Sequence, residues 1–549
     1  MISMKKAYEE KIVYQIYPAS YYDSNNDGWG DLQGITQKLD YLKDLGVGII
    51  WLSPIYASPL IDMGYDISDY KAINPKFGTM EDFDVLMHEA KIRDLKIVMD
   101  LVINHTSTEH KWFKEALYNP TTKYRNYYYF ARGKGRKHNK VPNNWQSVFV
   151  GSAWEPLKDD KTTYCLHLFC SEQVDLNYHN EDVIKEVDSI MKFWLDKGVY
   201  GFRCDTISNA YKTSLNNAKP RITQTGKEFY ENQEGNHKLL ARFQKDVLEK
   251  YDAFMVGEIQ GCTPEIANRY INDGELNMCI TFEHQEVDKL KAIPLLRKHF
   301  RGRDLIKVLY KYQEECSCNC LYFENHDQLR SVSRFVKEKY HDEGSKALGM
   351  FLLTLKGTPF IYQGEEIGMT NISEKERSIE ENKDVVVHNL YNMFRKFHLP
   401  RKLAFRLTEL QNRDNERTPM QWNDRVNAGF NKGWAPWLKV NNNYLDKNIN
   451  VEHQIEDKNS ILNFYKDLIK YRNDSDVLKY GEFKKLSSHK DVAKYVREYK
   501  GKRLLIIINL SSHKVLDSDK NDRKVILSNY RQDFIKALPP YFCALYLIP

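Results

Sequence analysis

No apolar run in this chain approaches the length that crosses a bilayer, which excludes a helical membrane span. The opening residues, MISMKKAYEEK, carry basic side chains with no apolar stretch behind them, so no export signal is expected. Charge of one sign is equally scarce. Lys+Arg number 81 against 75 Asp+Glu, a formal +6 dispersed over 549 residues, and this gives no support to nucleic-acid binding. The densest basic run, Arg132 to Lys140, reads as a solvated loop. Metal-type cysteine spacing is missing too: the nine cysteines are odd in number and contain no CxxC pair. Cys316, Cys318 and Cys320 alternate as on a strand and read as packed thiols sharing one face. Reduced thiols without an export signal point to the cytoplasm. There is no internal repeat and no low-complexity segment.

What the chain does have is a regular alternation of strand-like and helix-like stretches. Ile12 to Pro18 reads as a first strand, followed by an amphipathic helix near Ile35 to Leu45. Gly48 to Ile55 is a second strand, and a helix near Met80 to Arg93 leads to a third, Lys96 to His105. This is the pattern of βαβ units around a parallel sheet. Residues 106–174, aromatic and polar, are too long for a βα loop and are expected to form an inserted subdomain. A helix from Asp182 to Lys197 then feeds a strand from Phe202 to Ile207. A helix near Lys238 to Lys250 and strands Ala253 to Ile259, Glu275 to Phe282, Cys320 to Asp327 and Thr358 to Glu366 complete the series. Eight strands alternating with helices predict an α/β fold, a (β/α)8 TIM barrel spanning 1–105 and 175–479. A long segment rich in Trp, Asn and Gly, roughly 367–440, follows the eighth strand. From 480 to 549, short alternating stretches such as Leu504 to Leu510 and Tyr541 to Ile548 predict a C-terminal all-β domain, a β-sandwich.

Chemistry concentrates at strand ends. Arg203 and Asp205 leave the same face of the fourth strand, and a guanidinium beside a carboxylate keeps it ionised and directed. Asp205, Glu258 and Asp327 close the fourth, fifth and seventh strands, with His105 and His326 at comparable positions. Carboxylates converging on one barrel mouth raise the pKa of at least one of them. An ionised nucleophile and a protonated acid then coexist near neutral pH, as glycoside hydrolysis requires. Separately, Asp23, Asn25, Asp27 and Asp31, with the carbonyl of Trp29 and a turn at Gly28, resemble the start of a calcium loop. The twelfth position is Gly34 where an EF-hand needs Glu, so a non-EF-hand site for structural Ca2+ or Mg2+ is expected. Catalysis itself needs no cofactor, since carboxylates suffice.

The motifs DLVINH ending at His105, GFRCD ending at Asp205, GE at Glu258, ENHD ending at Asp327 and RDNERTPMQW from Arg413 to Trp422 together resemble the α-amylase superfamily of glycoside hydrolases, in its oligosaccharide α-glucosidase branch. The resemblance runs from about residue 8 to 549. It implies Asp205 as nucleophile, Glu258 as acid/base and Asp327 as holder of the 2- and 3-hydroxyls. It implies Asp62, Tyr65, His105, Arg203, His326 and Arg413 around the terminal glucose, with Asp62 and Arg413 closing the pocket behind it and enforcing exo action. Phe149 and Phe169 are expected along the wall. The family's QPDLN motif stands here as Gln173-Val-Asp-Leu-Asn177, keeping Gln173. The residue after the nucleophile is Thr206, which in this branch accompanies α-1,4, sucrose or mixed specificity, whereas Val accompanies α-1,6 specialists. The expected activity is a retaining exo-α-glucosidase acting as a monomer on short oligosaccharides. The alternatives are a trehalose-6-phosphate hydrolase, with Lys291, Arg297, Arg301 and Arg303 as a phosphate pocket, a sucrose isomerase or transglucosylase, and a binding scaffold without catalysis. A scaffold is disfavoured because all three carboxylates are present.

Overall fold

The computed structural model describes residues 7–290, 293–373, 377–516, 523–530 and 537–549. Eight strands form one parallel sheet: β1 Val13–Ile16, β2 Ile49–Leu52, β3 Lys96–Leu101, β4 Gly201–Cys204, β5 Phe254–Glu258, β6 Met278–Ile280, β7 Cys320–Leu321 and β8 Thr358–Tyr362. Their spatial order, β6-β5-β4-β3-β2-β1-β8-β7, wraps the sheet into the expected barrel. Alternation along each strand sorts the core. Ile49, Trp51, Val98, Phe254 and Val256 turn into one inner cluster, while Ile50, Leu52, Ile97, Met99 and Met255 pack outward in a second. Two residues beyond Val98 and Val256 on the inner face come Asp100 and Glu258, so the charged layer caps the apolar one at the C-terminal mouth.

The seam between β6 and β7 departs from the expected longer strands. Side chains replace the ladder there: His284 Nε2 and Gln285 Nε2 bond the carbonyls of Tyr322 and Phe323, and Tyr322 Oη donates to the carbonyl of Thr281. Cys316 and Cys318 sit in the turn before β7 rather than along a strand, with Cys316 Sγ bonded to the Cys318 carbonyl at 3.2 Å. All nine cysteines are free thiols, seven of them buried.

Helices fall close to their expected places. Met80–Ile92 opens on a capping box between Thr79 and Asp82, a feature worth about 1 kcal/mol. The expected helix near 35–45 is two short ones, Leu32–Gln37 and Leu39–Leu45, the second ending on Gly46 at φ 90°. The insertion is clasped at its base by an antiparallel ribbon in which Asp175 pairs with His105 and Gln173 with Ser107. It carries its own three-stranded sheet. The C-terminal strands form a five-stranded antiparallel sheet beginning at Glu482, with a two-stranded sheet against it. One face of the large sheet packs into the barrel's outer cluster, and the other encloses Val496, Leu505, Ile507 and Phe542. No helix among the described residues is long and apolar enough to cross a membrane.

Candidate active site

The floor of the barrel mouth is organised by Arg203, fully buried above the Trp51 ring at 5.0 Å. Register places Arg203 beside Asp100 of β3, and Nη1 donates to Asp100 Oδ1 at 2.8 Å and to Asp205 Oδ1 at 2.7 Å. Nη2 donates to Glu258 Oε2 at 2.6 Å. One guanidinium therefore orients three carboxylates from three adjacent strands. Thr206 reinforces this: its N–H donates to Glu258 Oε2 at 3.1 Å, and its hydroxyl lies 3.3 Å from Asp205 Oδ2. To do both it adopts φ 40°, a left-handed conformation rare for a β-branched residue. The expected linkage-reading hydroxyl is thus engaged with the neighbouring carboxylate while still lining the cavity.

Burial pushes the Glu258 carboxyl up to about 8; Arg203 opposes, and the charges of Asp205 and Asp327 add to the rise. Asp100 moves the same way, to about 7, again through burial. Asp327 behaves oppositely. Burial would raise it, but His326, Arg413 and Arg417 together hold it well below the ordinary carboxylate range. Arg417 Nη2 reaches its Oδ1 at 2.8 Å and Arg413 Nη1 at 3.3 Å. Burial lowers the His326 pKa, and the charge of Asp327 opposes that shift. Gln15 bonds its Nδ1 at 2.7 Å, which assigns the proton to Nε2, 2.6 Å from Tyr65 Oη and 3.2 Å from Asp327 Oδ2.

Above this floor opens a cavity of about 650 Å³. Its lining contains Asp62, Tyr65, His105, Phe149, Phe169, Gln173, Asp205, Thr206, Glu258, Asp327 and Arg413; Arg203 and His326 lie directly beneath. At one end stands the Arg413 guanidinium, whose Nη2 reaches Asp62 Oδ1 at 2.9 Å and Asp384 Oδ1 at 2.8 Å. Gln173 Nε2 donates to Asp62 Oδ2 at 3.1 Å, tying the insertion to that end. Phe149 packs edge-on to Phe169 at 5.4 Å, with Arg413 over its ring at 5.1 Å. An arginine-oriented carboxylate, a proton-bearing carboxyl and a third held ionised thus face one sugar-sized space.

A sequence profile for the alpha-amylase catalytic domain matches residues 15–481. The chain belongs to the α-amylase family of glycoside hydrolases. The chain is 44% identical to an oligo-1,6-glucosidase of Parageobacillus thermoglucosidasius, covering 92% of this chain and 90% of that protein. A crystal structure of Bacillus licheniformis trehalose-6-phosphate hydrolase superposes with TM-score 0.89 at 37% identity, covering 99% of this chain and 100% of that one. An isomaltulose synthase from Klebsiella sp. LX3 superposes with TM-score 0.93 at 34% identity and the same coverage.

For this family member, three contributors escaped the sequence reading. Asp100 could have been found, because a carboxylate in the apolar run KIVMDLVINH must be paired once buried. Arg417 stands inside RDNERTPMQW but carries no separate signal. Asp384 lies in a polar stretch that nothing distinguishes locally. The residues expected to bind phosphate are engaged elsewhere. Arg297 pairs with Asp288 at 2.9 Å, Arg301 with Asp304 at 3.0 Å and Arg303 with Asp491 at 3.6 Å. None of these three lines the cavity, and Lys291 lies outside the described residues.

At the expected cation loop, Asp23 Oδ1 accepts from the N–H groups of Asn26 and Asp27, and Oδ2 from Gly28 N–H and Asn431 Nδ2. Asp31 accepts from Ser24 and Gly34, Asn25 Oδ1 from Asp27 N–H, and Asp27 Oδ1 from Trp29 N–H. Four donors fill the four lone-pair positions of Asp23. Trp29 stacks on Trp437 at 5.2 Å, so the loop clasps the segment that follows β8. Among the described residues no group of three or more His, Cys, Asp or Glu is arranged to hold a metal ion.

Proposed function

We propose that this chain is a retaining exo-α-glucosidase that removes terminal α-linked glucose from short oligosaccharides. The reading is carried by one observation: Arg203 and Thr206 hold Asp205 and Glu258 together beneath a cavity closed at one end by Arg413 and Asp62. Asp205 attacks the anomeric carbon and forms a β-glucosyl ester, while Glu258 gives its proton to the departing oxygen. Glu258, now charged, takes a proton from water, whose oxygen attacks the ester and restores the α configuration. Asp327, held ionised, binds ring hydroxyls and stabilises positive charge developing at the anomeric centre. The blind end admits one glucose unit and sets exo cleavage. The relatives named oligo-1,6-glucosidase support α-1,6 activity, and Thr206 supports α-1,4 activity beside it.

Incubation with maltose, isomaltose and sucrose, followed by NMR of the first product, tests the reading. Free α-glucose is expected; β-glucose as first product would contradict double displacement, and isomerised sucrose would favour glucosyl transfer to a sugar. Placement in the cytoplasm, supported by nine free thiols, and action as a monomer complete the proposal. A structural Ca2+ or Mg2+ at residues 23–31 is proposed on the loop's oxygen-rich composition, with stability rather than chemistry as its role.

A further inference from the structure

The lining of the cavity changes character away from the Arg413 end. A helix in the segment after β8, Val385–Lys396, starts at that end. Its N-cap Asp384 accepts from the Val386 N–H at 3.0 Å through the same Oδ1 that meets Arg413 Nη2 at 2.8 Å. Val386 and Leu390 both line the cavity, and their spacing puts them on one helix face. At the helical rise per residue, Leu390 stands about 9 Å along the axis from Asp384, farther than a single pyranose ring extends. The insertion meets this helix. Asn389 Nδ2 donates to the Phe149 carbonyl at 3.2 Å, which brings the insertion's tip beside Val386 and Leu390. Val148, Phe149 and Val150 of that tip also line the cavity. The two segments thus join in one apolar wall. The segments after β4 and β6 supply a different surface, with Lys227 paired to Glu231 at 3.3 Å and Lys311 to Glu283 at 3.1 Å.

Resting on the α-glucosidase reading, we propose that Val386 and Leu390 are specificity-determining residues for the leaving group, and that α-glucosides of apolar alcohols are taken alongside oligosaccharides. A hydroxyl turned to this wall gives up water and finds no partner. An alkyl chain loses nothing there and removes its own apolar surface from water. A sugar leaving group therefore binds through the polar lining, whereas an alkyl aglycone gains from the wall. The cleavage step is unchanged. Asp205 takes the glucosyl group as its ester, the glycosidic bond breaks, and the alcohol departs with the proton of Glu258. Water then releases glucose as it does from an oligosaccharide.

The test measures kcat/KM along the series from methyl to hexyl α-glucoside, and Ki for each against isomaltose hydrolysis. The departing alcohols are nearly equal in acidity, so the chemistry is held constant and only the contact grows. In the wild type kcat/KM is expected to rise about twofold for each added methylene, half the effect of full burial, with Ki falling in parallel. Val386→Thr keeps the shape and the N–H that Asp384 holds but places a hydroxyl on the wall, and is expected to flatten both slopes. A flat series in the wild type overturns the proposal, and so does a slope as steep in Val386→Thr as in the wild type. Failure to hydrolyse isomaltose, maltose, sucrose and every alkyl glucoside overturns instead the α-glucosidase reading beneath it.

Discussion

The floor of the cavity and its blind end are assembled from the same two chemical groups in different proportions. On the floor a single guanidinium, Arg203, serves Asp100, Asp205 and Glu258. At the blind end two guanidiniums, Arg413 and Arg417, serve Asp62, Asp327 and Asp384. Both places are largely buried, although the Asp327 side chain keeps 30% of its surface exposed, and the outcomes differ. Glu258 is pushed to about 8 and Asp100 to about 7, whereas Asp327 and Asp384 are held low despite burial. Only Asp62 at the blind end is raised, again by burial. Where cations run short a proton stays, and where they suffice the carboxylates remain charged. On the proposed α-glucosidase reading, this division puts acid catalysis on the floor and charge stabilisation at the Arg413 end.

Removing the floor's attacking oxygen should have the largest effect. Asp205→Asn is expected to lower kcat by about 10⁴-fold or more, measured on an aryl α-glucoside. Next, Arg413→Ala leaves the blind end with one guanidinium for three carboxylates, the proportion found on the floor. Hydrogen bonds to charged groups are worth about 1.5–3 kcal/mol each, so kcat/KM should fall about 10²-fold. Losing that cation also raises the Asp327 pKa. Activity, which needs Asp327 ionised, should then decline at a higher pH on acidification than in the wild type. A smaller effect is expected at Thr206. Thr206→Val removes the hydroxyl near Asp205 but keeps the N–H bond to Glu258; the isomaltose-to-maltose ratio should rise about fivefold, the equivalent of roughly 1 kcal/mol. An unchanged ratio removes Thr206 as a determinant of linkage. The smallest effect lies away from both regions, at residues 23–31. A chelator is expected to lower Tm by about 2–5 °C while initial rates stay constant, and immediate loss of activity in the folded enzyme would assign a metal to the chemistry instead.

The barrel was legible because its strands are short apolar runs at regular spacing, ending in carboxylates whose positions the register then makes neighbours. Asp205 and Glu258 could be named from strand ends alone, whereas Asp327 stands six residues beyond the end of β7 rather than closing it, and was carried by the ENHD motif. The β6–β7 seam was not legible, because His284, Gln285 and Tyr322 supply side-chain bonds where a backbone ladder was expected. Nor could sequence spacing disclose that Arg413 meets Asp384, since two helices, Val385–Lys396 and Arg401–Glu409, separate those residues within the segment after β8. The engagement of the Thr206 hydroxyl depends on a left-handed backbone that a β-branched residue gives no reason to expect.

The assignment of the catalytic proton to Glu258 is tested most directly by the pH dependence of kcat/KM in wild type and Glu258→Gln, using one glucoside with a poor leaving group and one needing no protonation. A carboxyl raised to about 8 must keep its proton to act, so wild-type activity on the poor leaving group should fall as pH rises through about 8. Glu258→Gln should lose most of its activity on that substrate, retain much of it on the other, and show no such limb. A basic limb unchanged in Glu258→Gln would contradict this and move the acid to another residue.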